Sequence, residues 1–441
     1  MPKKKIKHDI LFRDRKLVVI KFGGTSLADA ERLHNISHRL AAMASTMDII
    51  VVVSAMGDST NRLIQIAHDA TGGEPSPQDT IELAAHGEMI SARALKAALT
   101  HVGAKAKAIT PFSGLWPIIA VDESPQLLSL VKVNEDKPIR ICDSTTRKLL
   151  MQYIVPLLHE RVIPVVCGFL ALDPDGNLIT LGRGGSDTTA FIIAKFLEAD
   201  EVIIVTDVEG VLDADPKRVE APAKVKYIST EEMEGLAQSG ATVIHPRALA
   251  YKSPHTKARV THFDAETYEF GGTEISGFFK ATLDFCPHPL GLISVVLAGG
   301  EERSRIAESI LQVLKEAGAE IHGMASTNNY IGVYLREDQG EAAYHEIHKR
   351  LSQESRFKAI ALKKDIARVL ISSPKFLPQP GVIASVAKAL IAESINISDI
   401  ITLQNDINIY VPWEDRKRVG VILRRLALDA AFEELSREPS Q

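Results

Sequence analysis

Strand-sized apolar runs alternate with longer helical runs over the first half of the chain, and that alternation constrains the fold more than any other feature. Residues 16–20, 48–54, 105–110, 139–142, 162–167 and 201–206 have the length and apolar content of buried strands. Helical periodicity covers residues 26–45, 61–70, 79–99 and 145–159. Ser26 and Asp29 have capping-box spacing, which predicts that the first helix starts at Ser26. The alternation predicts an α/β class, a mostly parallel sheet sandwiched by helices. Ligands in such folds bind at the carboxyl ends of strands. The loops at 21–26, 54–60, 182–189 and 206–218 all follow strand runs, so they are expected to converge on one edge.

The loop with the most chemistry in it runs from Thr180 to Ala190. It joins a β-like run at 177–181 to an apolar helical run at 191–197. Gly182, Gly184 and Gly185 let the backbone turn tightly and approach a ligand. Ser186 and Asp187 fall at the expected helix start, where free N–H groups favour an anion. Arg183 supplies a planar cation suited to a carboxylate or phosphate. Asp187 beside such a site implies that cations gather there too.

The 441 residues are enough for two or three domains. A formal net charge of -5 argues against nucleic-acid binding as the main activity. Cys142, Cys167 and Cys286 lie far apart without metal-ligand spacing, so free thiols in a reducing cytoplasm are expected. Residues 1–15 form a basic extension with Lys3, Lys4, Lys5 and Lys7, followed by no apolar run of signal-peptide length. The apolar runs are strand-sized, so no membrane span is expected.

After Gly271, Gly272 and Thr273 the pattern changes. A strand at 291–298, a helix at 304–317, strands at 320–326 and 330–336 and a helix at 341–351 follow one another. From Ile366 the same order recurs, with helices at 382–393 and 415–426 and strands at 396–403 and 407–411. Ile321 aligns with Ile397, Asn329 with Asn405 and Tyr334 with Tyr410, so the period is 397 − 321 = 76 residues. Two ferredoxin-like βαββαβ units in tandem are expected. The expected boundaries are 16–285 for the first domain, then 290–362 and 363–441 for the repeats.

Four motifs carry a resemblance over nearly the whole chain. Lys21-Phe22-Gly23-Gly24-Thr25-Ser26, His86-Gly87-Glu88, Gly182-Arg183-Gly184-Gly185-Ser186-Asp187 and Thr206-Asp207-Val208-Glu209-Gly210 resemble those of the aspartokinases, in the amino-acid kinase superfamily. The tandem units resemble their ACT domains. The resemblance implies the amino-acid kinase fold and ATP-dependent phosphorylation of the side-chain carboxylate of L-aspartate, with Mg²⁺ whose ligands stay unassigned. That reaction opens the lysine/diaminopimelate, threonine and methionine branch. No fused homoserine dehydrogenase is expected after the second repeat.

The chemistry agrees with this reading. An acceptor carboxylate is already ionised near neutral pH, so neither a general base nor a His or Cys nucleophile is expected. Lys21 would neutralise the transferring phosphoryl group, with the Phe22, Gly23 and Gly24 backbone beside it. Asp187 would hold that lysine and help organise the Mg²⁺–nucleotide. Arg183 would bind the α-carboxylate of the acceptor and Glu88 its α-ammonium. The resemblance adds Ser54 and Thr60 on the acceptor side, and Thr206, Asp207, Leu212, Lys217, Thr242 and Val243 on the nucleotide side. Leu212 stands where the family often has Tyr, and Thr242 where it often has Lys.

In the first ACT-like unit, Gly300, Arg303, His322 and Asn328 are the expected effector pocket. His322 and Asn328 stand where lysine-inhibited relatives carry acids, so weak or no inhibition by lysine is expected. A homodimer or higher homo-oligomer, joined through residues from about Gly291 onward, is implied as well. A kinase for another acid, such as glutamate or carbamate, is set against by the ACT pair and His86-Gly87-Glu88. A non-catalytic amino-acid sensor is set against by the joint presence of Lys21, Arg183 and Asp187.

Overall fold

The computed structural model describes residues 15–122, 139–215, 218–238, 243–278, 282–298, 303–372, 381–403 and 406–426. The chain forms two compact units, Met1–Phe279 and Lys280–Gln441.

An eight-stranded sheet organises the first unit. Its order is Tyr227–Ser229, Thr273–Ser276, Lys257–His262, Glu201–Thr206, Leu17–Phe22, Asp48–Val53, Ile163–Cys167, Ala106–Ile109. The six strands from Lys257–His262 to Ala106–Ile109 are mutually parallel. Thr273–Ser276 is antiparallel to its neighbour Lys257–His262. Leu17, Val18, Val19 and Ile20 are all fully buried. Successive strand residues face opposite sides, so both faces of the sheet are covered. The helix Gly185–Phe196 is buried at eleven of its twelve positions. It is buried all round because it is enclosed, with Ser186, Asp187, Thr188 and Thr189 at its start and an apolar run from Ala190 to Ala194.

Several local readings change. Ser26 does not open the first helix. Its hydroxyl is buried and donates to Val205 O at 3.3 Å, which ties it to the sheet within a short 3₁₀ turn, Thr25–Leu27. Asp29 is the cap, accepting from Arg32 N at 2.9 Å, and the helix is Ala30–Ala44. The run at 145–159 splits into Asp143–Tyr153 and Val155–His159. Pro156 supplies no N–H and disfavours helical geometry just before it. Ile139–Ile141 pairs with Ala120–Asp122 in a separate ribbon, and Leu178–Thr180 pairs with Leu170–Leu172. Neither belongs to the main sheet. The strands Lys257–His262 and Thr273–Ser276 went unread in the sequence.

The second unit holds both repeats on one sheet, ordered Ile321–Thr327, Tyr330–Arg336, Leu290–Leu297, Phe357–Ser372, Asp406–Pro412, Asp399–Leu403. A sixteen-residue strand, Phe357–Ser372, ends the first repeat and begins the second. The strand beside its second half is Thr282–Phe285, antiparallel to it. The second repeat is therefore completed by a segment that precedes the first repeat. Thr282–Phe285 belongs here, so the boundary expected at 285 moves to 279/280. Tyr334 and Tyr410, the repeat-related pair, stack at 3.7 Å between ring centroids and 17° between planes. Two intervening strands separate them within the sheet, so the sheet must fold back on itself to bring them together. Asp365, at φ 58°, marks the bend within the long strand. A Cβ on Gly323 would lie 2.1 Å from the Tyr410 hydroxyl, which is why glycine stands where the second repeat has Asp399.

Among the described residues, no helix is long and apolar enough to cross a membrane.

Candidate active site

The sheet edge expected to hold the ligand does gather the motifs. Lys21 is the penultimate residue of the central strand, and its Nζ lies 2.7 Å from Asp187 Oδ1. Their side chains are only 12% and 10% exposed. Asp187 stands in the first turn of Gly185–Phe196, so a helix N-terminus and a lysine meet at one carboxylate.

The turn after Lys21 is fixed from two sides. Gly23 N–H donates to Val205 O at 3.0 Å, and Gly57 N–H donates to Gly24 O at 3.0 Å. A Cβ on Gly24 would sit 2.5 Å from Ala55 O, so the turn packs on the 54–57 loop only as glycine. Two expectations change here. Gly23 N–H is committed to the sheet rather than left for a phosphate. Phe22 buries its ring against Tyr268, and its carbonyl accepts from Ser54 N at 3.1 Å. Ser54 is thereby joined to the strand end, and Thr60 lies half-buried in the first turn of Ser59–Ala70.

The glycine-rich turn does not follow a strand of the main sheet, yet it reaches the same edge. Gly168, directly after Ile163–Cys167, would place a Cβ 2.6 Å from Ser186 Cβ. Gly185 N–H donates to Gly182 O at 3.0 Å, closing a turn with Gly184 at φ 67°. Positive φ at the third residue is the type II pattern, for which glycine is suited. Arg183, the second residue of that turn, is exposed.

Glu88 is an electrostatic anomaly on the acceptor side. It is 4% exposed on Pro77–His101 and accepts from Ala55 N at 3.3 Å. Its Oε2 is buried without a hydrogen-bond partner among the described residues. Burial pushes the Glu88 carboxyl up from 4.5 to about 8, offset in part by backbone N–H groups. The approach depends on Gly87, whose added Cβ would meet Ala55 Cβ at 2.8 Å. His86 lies on the exposed side of the helix, its ring nitrogen Nδ1 2.7 Å from Glu82 O.

On the expected nucleotide side, the Thr206 hydroxyl donates to Asp207 Oδ1 at 3.1 Å. Leu212 ends a two-residue strand, Val211–Leu212, which pairs with Lys224–Val225. Thr273, which the sequence did not single out, holds that strand by accepting from Val211 N at 2.8 Å. Val243 is half-buried against the core. Lys217, Thr242 and Gly300 lie outside the described residues. Among the described residues, no group of three or more His, Cys, Asp or Glu side chains is arranged to hold a metal ion. Magnesium carried by a nucleotide needs only one or two carboxylates besides phosphate and water, so it does not require such a group.

In the second unit, Arg303 Nη1 donates to Thr327 O at 3.2 Å and to Asn328 Oδ1 at 3.4 Å. The structure does not bring His322 to them. His322 sits at the opposite end of the strand Ile321–Thr327, about 16 Å away at ~3.3 Å per residue. There its carbonyl accepts from the Tyr410 hydroxyl at 2.8 Å. Burial lowers the pKa of its ring.

The model of the Amino acid kinase family matches residues 16–262. Aspartokinase 2 of Bacillus subtilis is 30% identical over 441 residues, spanning 96% of this chain and 99% of the relative. Aspartate kinase from Synechocystis superposes with a TM-score of 0.72 at 23% identity, covering 96% of this chain and 70% of that one. E. coli aspartokinase III in complex with aspartate and ADP superposes with a TM-score of 0.52 at 21% identity, covering 93% and 99%.

Proposed function

The chain belongs to the aspartokinases, within the amino acid kinase family, and from that premise we propose that the Lys21–Asp187 edge of its sheet is where ATP phosphorylates the side-chain carboxylate of L-aspartate. The observation that carries this placement is the 2.7 Å Lys21–Asp187 contact beside the two-glycine turn.

A carboxylate oxygen of aspartate attacks the γ-phosphorus, the bond to the bridging β–γ oxygen breaks, and ADP leaves with that electron pair. The product is 4-phospho-L-aspartate. No proton moves, so the step itself asks for no His or Cys. Lys21 supplies positive charge to the phosphoryl oxygens, and Asp187 keeps its ammonium in place. Gly24, rather than Gly23, is the glycine left to present its N–H to phosphate. Thr206 and Asp207 lie at the end of the next strand and serve the nucleotide. Magnesium, when bound with ATP, would neutralise charge on its phosphates.

The acceptor is read at both ends of its α-amino-acid group. Arg183 grips the α-carboxylate. Glu88 meets the α-ammonium with the oxygen that now lacks a partner. A buried polar atom left alone costs roughly 1–3 kcal/mol, and the ligand removes that cost. Trapping the acyl phosphate with hydroxylamine tests the assignment. We expect ATP-dependent hydroxamate from aspartate and little from glutamate; equal yields from both would overturn it. Three unpaired cysteines fit a cytoplasmic enzyme.

Assembly and regulation follow from the second unit. Ile321–Thr327 and Asp399–Leu403 are the outer strands of its sheet, with Ile321 41% and Leu403 69% exposed. Such edges are normally paired or covered, and a second copy of the unit is the natural cover. Arg303 and Asn328 provide no carboxylate for the ammonium groups of lysine, each such bond being worth roughly 1.5–3 kcal/mol. We expect light scattering to give at least twice the 48.1 kDa chain mass, and lysine to leave the rate nearly unchanged. A monomer mass would remove the first expectation. Strong inhibition at sub-millimolar lysine, lost on substituting Arg303 and Asn328, would remove the second.

A further inference from the structure

The turn that carries Arg183 is held by His245 and Arg247, two residues to which the reaction as described gives no part. Leu181, the residue just before that turn, is 1% exposed, and its N–H donates to Phe169 O at 2.7 Å. Its carbonyl lies past the end of the hairpin strand Leu178–Thr180. Arg247 Nη1 reaches across 66 residues of sequence and donates to that carbonyl at 2.8 Å. A buried carbonyl in this position needs such a donor.

The other side of the turn is fixed by shape. An added Cβ on Gly184 would lie 2.2 Å from His245 Cβ, so the turn rests directly on His245. His245 caps the short helix Pro246–Leu249, its ring nitrogen accepting from Arg247 N at 3.4 Å. One segment therefore clamps the residue two before Arg183 and the residue just after it. Gly182 and Gly185 close the turn between these clamps. Without them, three glycines in four positions would leave Arg183 on a mobile tether.

We propose that Arg247 is a positioning residue for aspartate: it fixes the backbone from which Arg183 reaches the α-carboxylate. The proposal rests on the reading of Arg183 given above. Arg247 acts through the Leu181 carbonyl rather than on the substrate. Its loss acts on acceptor binding because a guanidinium displaced by about 1 Å can cost up to 10²-fold.

A double-mutant cycle tests this. Arg247→Met keeps the aliphatic stem, so packing is disturbed least. We expect it to raise KM for aspartate about tenfold or more, with KM for ATP within about twofold of wild type. Arg247→Lys retains one donor and should recover part of the loss. Arg183→Ala should raise KM for aspartate by itself, and adding Arg247→Met to it should cost little more, since one residue acts through the other. Equal changes in both KM values, or a full additional loss in the double variant, would reduce Arg247 to a structural residue and overturn the proposal. Were Arg183→Ala to raise KM for aspartate while Arg247→Met did not, the brace alone would fail. Were Arg183→Ala to leave KM for aspartate unchanged, the acceptor reading itself would fall and the proposal with it. Should Arg247→Met fold poorly, Arg247→Lys carries the test: wild-type KM for aspartate with a lowered melting temperature would overturn it.

Discussion

Lys21→Ala is expected to lower kcat by about 10²-fold or more while KM for aspartate changes little. The reasoning is electrostatic. Phosphoryl transfer to a carboxylate brings two anions together, and the charge stays on oxygens throughout. A fixed ammonium in a water-poor site stabilises that arrangement without reorganising, and removing one such donor costs roughly 10²–10³-fold. Lys21 is fixed by Asp187 at 2.7 Å and is only 12% exposed. The same variant leaves Asp187 without its cation, so some loss of stability is also expected. Lys21→Arg separates the two effects. It restores charge beside Asp187 but not the shape of the ammonium, so the melting temperature should recover further than kcat does. A folded Lys21→Ala enzyme with near-normal kcat would remove Lys21 from the chemistry.

Lys21, Gly24 and Asp187 were legible in the sequence because local chemistry requires them there: a strand end, a glycine turn and a helix start each have a short-range signature. What the sequence withheld depends on distant partners. Gly23 looks like a phosphate-binding glycine until Val205 takes its N–H at 3.0 Å. Arg247 has no local signature at all, since its carbonyl partner is 66 residues away. The 76-residue period exposed both repeats, because Tyr334 and Tyr410 recur in matching strands. It did not reveal that Thr282–Phe285 completes the second repeat. Four residues are too short a run to stand out as a strand, and their partners lie 84 to 90 residues on, from Phe285–Val369 to Thr282–Ser372. The fold-back of the sheet was equally hidden; Asp365, at φ 58°, lies within the long strand that crosses from one repeat to the other.

Glu88 combines both kinds of information, and it yields the second large expected effect. Its helix was legible, but an ordinary helical glutamate is solvated. Gly87 packing on Ala55 is what buries it. Burial raises its carboxyl from 4.5 to about 8, so the fold binds this proton more tightly than the unfolded chain does. The resulting stabilisation is complete below about pH 4.5 and is lost as pH rises through about 8. Over that interval the loss is at most about 5 kcal/mol, at 1.36 kcal/mol per pKa unit. Glu88→Gln keeps the shape and removes the titration, so it should melt above wild type near pH 9 and close to it near pH 4.5.

The same substitution should raise KM for aspartate roughly 10- to 100-fold, the loss of one charge-assisted bond of roughly 1.5–3 kcal/mol. Only the ionised carboxylate can pair with an ammonium, so in the wild type kcat/KM for aspartate should climb with pH and level off near 8. Below that point, aspartate must expel the Glu88 proton as it binds. Calorimetry at pH 7 in buffers of different ionisation enthalpy should therefore show nearly one proton released by the wild type and none by Glu88→Gln. A Glu88→Gln enzyme that binds aspartate normally, or proton release that persists in it, would show that the α-ammonium is held elsewhere. Glu88 would then be a buried acid whose unpartnered oxygen serves no ligand.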